Sequence, residues 1–307
     1  MQPVAPPTSP VPAMLPTLRQ LEYVVALSRT LNFRQAAEAC DVTQPTLSGQ
    51  VQQLETLLGL TLFDRDKRGV RVTEAGQKVV DHAEKVVAEA ESLVEAAHAG
   101  SRPLEGPLSL GVIPTIAPYL LPRAIPPVRE AHPALELYLR EETTAALVEK
   151  VATGALDLAL LALEADLGDL HSLHLFDEPF LVAMPVGHPL AELDAIPEAA
   201  LTDESLLLLE EGHCLRSQAL AVCARAGADQ LAGFGATSLP TLLEMVAGGL
   251  GITLVPEMAT RDPFLSSRVV LRPFEDPAPQ RGIGLVWRPS SLRGEEFKAL
   301  AAILATV

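Results

Sequence analysis

The 307-residue chain holds only three cysteines, Cys40, Cys214 and Cys223. Three cannot pin a disulfide-dependent scaffold, and an odd count fits a reducing compartment. Long apolar runs are absent; none approaches the ~18 residues that a bilayer span requires. The N-terminus lacks the charged segment and apolar stretch of a secretory signal. A cytoplasmic protein without membrane contact is expected. Catalytic signatures are missing too. There is no Ser/His/Asp arrangement, no Cys/His cluster spaced for a metal and no phosphate loop. A cysteine phosphatase is excluded, because its loop needs Arg six residues beyond the cysteine, where Leu220 stands. No metal and no cofactor are expected, and a binding or regulatory role is favoured over catalysis.

An excess of positive charge is also lacking. The net charge is −16, which at first argues against nucleic acid. Its distribution changes that reading. Residues 1–72 hold seven Lys/Arg against six Asp/Glu, so this part carries +1 and the remainder −17. An acidic body can carry a nearly neutral reading head. DNA affinity would then rest on local basic groups and fall steeply with salt.

What is present is a succession of distinct patterns. Six prolines among small residues in 1–16 predict an extended, disordered arm, and the organised pattern begins just after Met14. Three short helices follow between Leu18 and Gly59. Thr17 is placed to cap the first, with Leu21, Val24, Val25 and Leu27 on its inner face. Asn32 is placed to cap the second, with Gln35 three residues on as in a capping box. Phe33, Ala36, Ala37 and Cys40 form its buried stripe, so Cys40 reads as core. Asp41-Val42-Thr43 makes a tight turn. Thr43 then caps a third helix whose Leu47, Val51, Leu54 and Leu58 recur at 4, 3 and 4. Two helices across a three-residue turn form a helix-turn-helix.

The outer face of the third helix bears Pro45, Ser48, Gly49 and Gln52, flanked by Thr46 and Gln53, with no charge before Glu55. Solvent faces usually carry Lys and Glu. Small residues with neutral donors and acceptors suit close approach to base edges in the major groove. The candidate DNA contacts are Thr43, Gln44, Pro45, Thr46, Ser48 and Gln52, with Arg34 on the preceding helix. Residues Phe63–Thr73 read as a hairpin wing whose Arg65, Lys67, Arg68 and Arg71 could reach phosphates.

A long helix from Thr73 to about Ala99 carries Val79, Ala83, Val86, Ala90, Leu93 and Ala97 at heptad spacing, widened by Val80, Val87 and Val94. It reads as a dimerising helix, with burial inside one domain as the alternative. Ser101–Pro107 reads as a linker. Beyond it, strands are expected at Leu108–Ile113, Glu136–Arg140, Leu156–Leu163, Phe180–Pro185, Leu206–Glu210 and Ile252–Val255, with helices between. The expectation is an α/β domain with a largely parallel sheet, folded as two subdomains around a cleft. Thr115, Thr143, Thr144, His213, Cys214, Thr237 and Ser238 follow strands or precede helices, where open α/β sheets bind ligands. The expected domains are an arm at 1–16, a winged helix-turn-helix at 17–73, a linker helix at 74–100 and a regulatory domain at 101–307. The last would divide into about 107–179 with 281–307, and about 180–280.

His213-Cys214-Leu215-Arg216 places a thiol between two cationic residue types, with Cys223 nine residues on. A thiol reacts as thiolate, which neighbouring positive charge favours, and a sulfenic acid condenses with a nearby thiol. On one continuous helix the two cysteines would lie about 13.5 Å apart along the axis and nearly half a turn out of phase. A disulfide needs Cα atoms within roughly 7 Å, so any such bond would have to unwind the segment between them. The alternative is a pair of half-buried cysteines packed as small apolar groups.

Several motifs carry a family resemblance. Ala36-Ala37, Thr43-Gln44-Pro45-Thr46-Leu47-Ser48 and Leu54-Glu55 resemble the helix-turn-helix of the LysR-type transcriptional regulators. Gly248-Gly249-Leu250-Gly251-Ile252-Thr253-Leu254-Val255-Pro256 resembles that family's effector-domain signature. The match runs from about Leu18 to about Ala302. It implies a winged helix-turn-helix, a linker helix and a regulatory domain of two periplasmic-binding-protein-like subdomains. Gly111–Thr115, Leu175–Pro179, Glu211–Arg216 and Ala236–Leu239 are similar to the family's hydrogen peroxide sensors. That resemblance implies that peroxide oxidises Cys214, that Cys223 resolves it, and that His213 and Arg216 orient the thiolate. It places Thr115 and Thr144 near the bound peroxide. It further implies a dimer of dimers on double-stranded DNA, contact with RNA polymerase, activation of antioxidant genes and reset by a glutaredoxin- or thioredoxin-type reductant. One position departs from the pattern. Ser217 stands where Asp generally follows the Arg, which implies a slower reaction if that Asp helps protonate the leaving hydroxide. Two other readings remain beside it: a regulator gated by a small metabolite in the cleft, with Cys214 incidental, and a peroxidase-like enzyme.

Overall fold

The structure is a computed structural model that describes residues 15–66, 69–98, 104–202, 204–226, 229–230, 235–261 and 267–306. The proline-rich arm up to residue 14, Lys67, Arg68 and the first part of the expected linker lie outside these residues. The chain divides into two compact units, Met1–Val94 and Glu95–Val307.

The first unit is built on α1 (Leu18–Thr30), α2 (Phe33–Ala39) and α3 (Gln44–Leu58). Thr17 and Gln20 form a reciprocal capping box on α1. Asn32 caps α2 by accepting from the amides of Arg34 and Gln35. The helix-turn-helix turn differs in detail from expectation. Thr43 occupies the cap position of α3 but makes no side-chain bond to its backbone; its hydroxyl pairs with that of Thr46 at 2.8 Å. Val24, Leu27, Ala36, Leu47, Val51 and Leu54 close the core, joined by Phe63 and by Val80 of the following helix. β1 (Phe63–Asp66) and β2 (Gly69–Val72) pair antiparallel as a wing. Glu55 Oε1 accepts from the amides of Leu62 (2.7 Å) and Phe63 (3.2 Å), fastening the wing to α3. α4 (Glu74–His98) starts beneath this core; Val80 and Ala83 are buried, whereas Val86, Leu93 and Val94 are at least half exposed.

The second unit is α/β. Its elements are β3 (Gly106–Val112), α5 (Ala117–Ala131), β4 (Leu135–Glu141), α6 (Thr144–Ala152), β5 (Leu158–Ala162), β6 (His171–Pro185), β7 (Ser205–Leu206), α7 (Cys214–Ala226), β8 (Asp229–Gln230), α8 (Leu239–Ala247), β9 (Thr253–Pro256), β10 (Val269–Pro273), β11 (Gln280–Trp287) and α9 (Gly294–Leu304). The main sheet runs β10-β6-β11-β5-β3-β4, with β9 also on β6.

The sheet is not largely parallel. β3 pairs parallel with β4 and β5, but β11 runs antiparallel to both β5 and β6, and β6 is antiparallel to β9 and β10. The 15-residue β6 explains the difference. Its first half pairs with β11 and its second half with β9 and β10, so one strand serves two parts of the sheet. Parallel geometry survives where helical crossovers join β3, β4 and β5. The strand expected at Leu206–Glu210 shrinks to β7, with a further bridge from Leu209 to Ala236. The expected linker is also shorter: Leu104 is fully buried and β3 starts at Gly106.

Candidate functional site

α7 presents two faces. Leu215, Ala219, Val222 and Cys223 are each no more than 3% exposed and pack into the core. Cys214, Ser217, Gln218, Ala221 and Arg225 line a cavity of about 760 Å³. These sets are the two sides of a 3.6-residue period, so Cys214 opens the helix on the cavity side and Cys223 sits on the core side. Both are free thiols on one continuous 13-residue helix, about 13.5 Å apart along its axis. Burial pushes the Cys223 thiol above its ordinary value, only partly offset by a backbone hydrogen bond.

The turn into α7 is made by Gly212 at φ +94°, a conformation that strains any residue with a Cβ. It brings His213 and Cys214 against the ends of two other elements. Ile113, Pro114 and Thr115 follow β3, and Thr143 and Thr144 open α6. Together they line a narrow crevice beside Cys214 that is too tight to hold a water molecule. Gly111 makes the approach feasible, since a Cβ there would lie 2.4 Å from Leu147 of α6. The crevice and the larger cavity share Thr144, His213 and Cys214.

The two threonines differ in state. Thr144 is 7% exposed and its Oγ1 has no hydrogen-bond partner. Thr115 is 2% exposed and its Oγ1 accepts from Arg281 Nη1 at 2.8 Å. Since an arginine only donates, the Thr115 hydroxyl keeps its own proton to give. Arg281 is fully buried. It also donates to the Thr115 carbonyl (3.2 Å) and pairs with Glu178 Oε2, with Nη2 at 2.8 Å and Nε at 2.9 Å. Glu178 Oε1 accepts from the Met258 amide at 2.8 Å. The ion pair therefore has most of its hydrogen-bonding capacity used, as a buried pair must.

Of the residues singled out from the sequence, Cys214, His213, Thr115 and Thr144 converge on the crevice. Arg216 instead donates from Nη1 to the Leu209 carbonyl at 2.9 Å, tying the first turn of α7 to the segment that follows β7. Ser238 is occupied in capping α8. The sequence alone does not mark Arg281, Glu178, Glu164 or Gln218 as site residues. Glu178 lies within the Leu175–Pro179 stretch that carries the resemblance, and that is the available signal. Gln218 donates to Glu164 Oε2 at 3.0 Å while its buried Oε1 has no partner, and Glu164 Oε1 also accepts from the Gly282 amide. Among the described residues no group of His, Cys, Asp and Glu is arranged to hold a metal, and no helix is long and apolar enough to cross a membrane.

On the first unit, Thr43, Gln44, Pro45, Thr46 and Gln52 are exposed along one side of α3, with Ser48 half-buried among them. Arg34 is exposed and paired with Glu38 at 2.9 Å. The Arg65 guanidinium stacks 4.0 Å over the Phe33 ring and reaches Ser48 Oγ at 3.4 Å, so it links wing, α2 and α3.

Residues 18–77 match the bacterial regulatory helix-turn-helix model of the lysR family, and residues 101–307 match the LysR substrate binding domain. The chain belongs to the LysR family. Among LysR-family relatives it is 45% identical over 284 residues to the Escherichia coli K12 DNA-binding transcriptional dual regulator OxyR, covering 92% of this chain and 93% of the relative. A full-length OxyR variant from Pseudomonas aeruginosa superposes with a TM-score of 0.79 at 39% identity, covering 95% of this chain and 98% of the other. A hydrogen-peroxide-bound OxyR mutant of Corynebacterium glutamicum gives 0.66 at 37% identity, covering 95% and 92%. This LysR-family chain thus pairs a helix-turn-helix unit with a regulatory unit that contains the thiol crevice.

Proposed function

We propose that this chain is a peroxide-responsive transcription regulator in which Cys214 is the sensing thiol and Cys223 resolves it. The observation that carries the reading is Cys214 at the start of α7, sharing a small crevice with a buried, unpartnered Thr144 hydroxyl, while a second thiol occupies the far face of the same helix. The Cys214 thiolate attacks one peroxide oxygen. An S–O bond forms, the O–O bond breaks, and hydroxide leaves to be protonated to water. Thr144 and Thr115 each have a hydroxyl proton available for a peroxide oxygen, and such fixed donors stabilise charge developing on the leaving oxygen. The sulfenic acid then condenses with the Cys223 thiol, releasing a second water and forming the disulfide.

The second step cannot occur on an intact α7, because the thiols are too far apart for a disulfide. Oxidation must unwind part of Leu215–Val222 and draw Cys223 out of the core. The two packings of this segment form a two-state element of the kind that switches proteins. The exposed Val86, Leu93 and Val94 on α4 support a dimer, and a dimer of dimers would present paired α3 faces to successive half-sites on double-stranded DNA. Readout through RNA polymerase, reset by a glutaredoxin- or thioredoxin-type dithiol and action in the cytoplasm complete the reading. Each molecule reacts once per reduction, so it signals rather than turns over.

The test is DNA footprinting of the reduced and peroxide-treated protein, beside Cys214→Ser. The expected outcome is two distinct footprints for the wild type and a single, reduced-type footprint for the variant under both conditions. A metabolite-gated regulator would use the same 760 Å³ cavity, and its footprint would be indifferent to redox state.

A further inference from the structure

We infer that Glu198 and Arg225 are positioning residues for the second oxidation step: their ion pair anchors the Cys223 end of α7 in the reduced packing and slows closure of the disulfide, leaving the first step alone. The inference rests on the peroxide reading of Cys214 and Cys223. It concerns what sets the lifetime of the sulfenic acid between the two steps.

The pair is built as an anchor. Arg225 lies in the last turn of α7, where a cation also suits the helix dipole. Its Nε donates to Glu198 Oε2 at 3.1 Å and its Nη2 to Glu198 Oε1 at 3.0 Å. Two such bonds between planar groups fix direction as well as distance. Hydrogen bonding to Glu198 raises the Arg225 guanidinium above its ordinary pKa. Glu198 opens a 3₁₀ turn, Glu198–Leu201, that packs against α7. That turn is itself held by the sheet. Pro197 precedes it at φ −66°. Ile196 before that is fully buried; its amide donates to the Pro273 carbonyl at the end of β10 (2.8 Å), and its carbonyl accepts from the Glu275 amide (3.0 Å). Leu201, at the far end of the turn, is fully buried too.

Closure of the disulfide strains this anchor. The cysteines start about 13.5 Å apart along α7, and their Cα atoms must come within roughly 7 Å. Drawing Cys223 from the core therefore moves it by at least about 6.5 Å. Arg225 follows two residues later. Those two residues span about 5.4 Å in a helix and about 7 Å when extended, so they absorb only a small part of the shift. With Glu198 fixed to the sheet, the ion pair opens before the sulfurs meet. The Cys223 sulfur then attacks the Cys214 sulfenic sulfur. The S–S bond forms, the S–O bond breaks, and the leaving hydroxide takes the Cys223 proton as water. The first step is insulated by distance, because Arg225 lies eleven positions beyond Cys214, about 16.5 Å along the axis. The other side-chain ties of α7, Arg216 to Leu209 and Gln218 to Glu164, lie between the cysteines and close to Cys214. They cannot separate the two steps in this way.

The experiment uses the reduced full-length protein with stoichiometric hydrogen peroxide. Rapid quench and mass spectrometry follow the Cys214 thiol, its dimedone-trapped sulfenic acid and the Cys214–Cys223 disulfide. The side chains of Arg225 and Glu198 are 54% and 29% exposed, so the pair contributes at the level of a good surface ion pair, about fivefold in an equilibrium constant. Glu198→Gln should leave the rate of Cys214 thiol loss unchanged and speed conversion of sulfenic acid to disulfide by about fivefold. The disulfide's reduction potential should fall by about 20 mV, the two-electron equivalent of that factor. Arg225→Met should speed the conversion equally, and the double variant no further, because one interaction is removed. Glu244→Gln, which breaks a comparable pair with Arg268 at α8, should leave the conversion rate unchanged. An unchanged or slower conversion in Glu198→Gln, additive effects in the double variant, or equal acceleration by Glu244→Gln overturns the anchor and leaves the peroxide reading standing. Absence of both sulfenic acid and disulfide at Cys214 in the wild type overturns both.

Discussion

At the scale of single residues, the site is a contrast between two threonines. Thr115 is held by Arg281, while the Thr144 hydroxyl is buried with no partner. An unsatisfied buried hydroxyl costs stability, so its retention points to use. Thr144→Val keeps the shape and removes the donor. It should slow Cys214 oxidation by about a hundredfold, the loss seen when one donor to a developing oxyanion is removed. Thermal stability should hold or rise, because an apolar isostere relieves the burial penalty. Stopped-flow thiol loss and a melting curve check both, and an unchanged rate would contradict the assignment. Arg281→Met should destabilise the protein by about 3–5 kcal/mol by leaving Glu178 charged and buried beside one amide donor. Adding Glu178→Gln should recover much of that, measured as a double-mutant cycle in denaturant. Cys214, His213 and Thr144 are legible in the sequence because reactive types recur where strands end or helices begin. Arg281 is not. A lone arginine reads as exposed, and its burial is set by Glu178 and Thr115, which lie 103 and 166 positions away.

At the scale of elements, α7 is the part that the proposed switch rearranges. Its two faces follow from periodicity, so the opposed placement of Cys214 and Cys223 is legible from their nine-residue spacing once one continuous helix is assumed, and α7 is such a helix. The arrangement of the sheet is not. Periodicity identifies strands but not their partners or sense. β11, whose Gly282 and Gly284 interrupt the apolar run, escapes the strand pattern, and it runs antiparallel to both of its neighbours, β5 and β6. α5 is hidden for another reason: it contains Pro122, Pro126 and Pro127. Each interior proline disfavours a helix by ~3 kcal/mol. Packing of Tyr119, Leu120, Ala124 and Val128 into the core offsets that cost. The raised Cys223 thiol gives α7 a pH dependence. Folded protein prefers neutral Cys223 more than unfolded chain does, so this stability is full below the ordinary thiol range and is lost as pH rises through the folded value. Cys40 shifts in the same direction, so the comparison must isolate Cys223. Between about pH 8 and 10 the reduced wild type should lose more thermal stability than Cys223→Ala. Parallel curves would mean that Cys223 is not held neutral by the core.

At the scale of the whole molecule, charge and chemistry are divided. The first 72 residues carry +1 and the remaining chain −17, so the proposed DNA contacts are a small set of polar and basic side chains on α2, α3 and the wing. The helix-turn-helix is legible because α1 to α3 are short, locally capped and regularly patterned. The cysteine pair lies in the second unit, where α7 belongs to the main core and cannot rearrange without repacking it. In the proposed switch, that coupling would carry a two-electron event at one sulfur into the core of the second unit. The central claim is that this event is a bond between Cys214 and Cys223. Its most direct test is peptide mass mapping of the reduced protein after brief, stoichiometric hydrogen peroxide with the remaining thiols blocked. The account predicts a Cys214–Cys223 disulfide that a dithiol reverses, with Cys40 left free. Absence of selective reaction at Cys214, or a disulfide that bypasses it, would contradict the account.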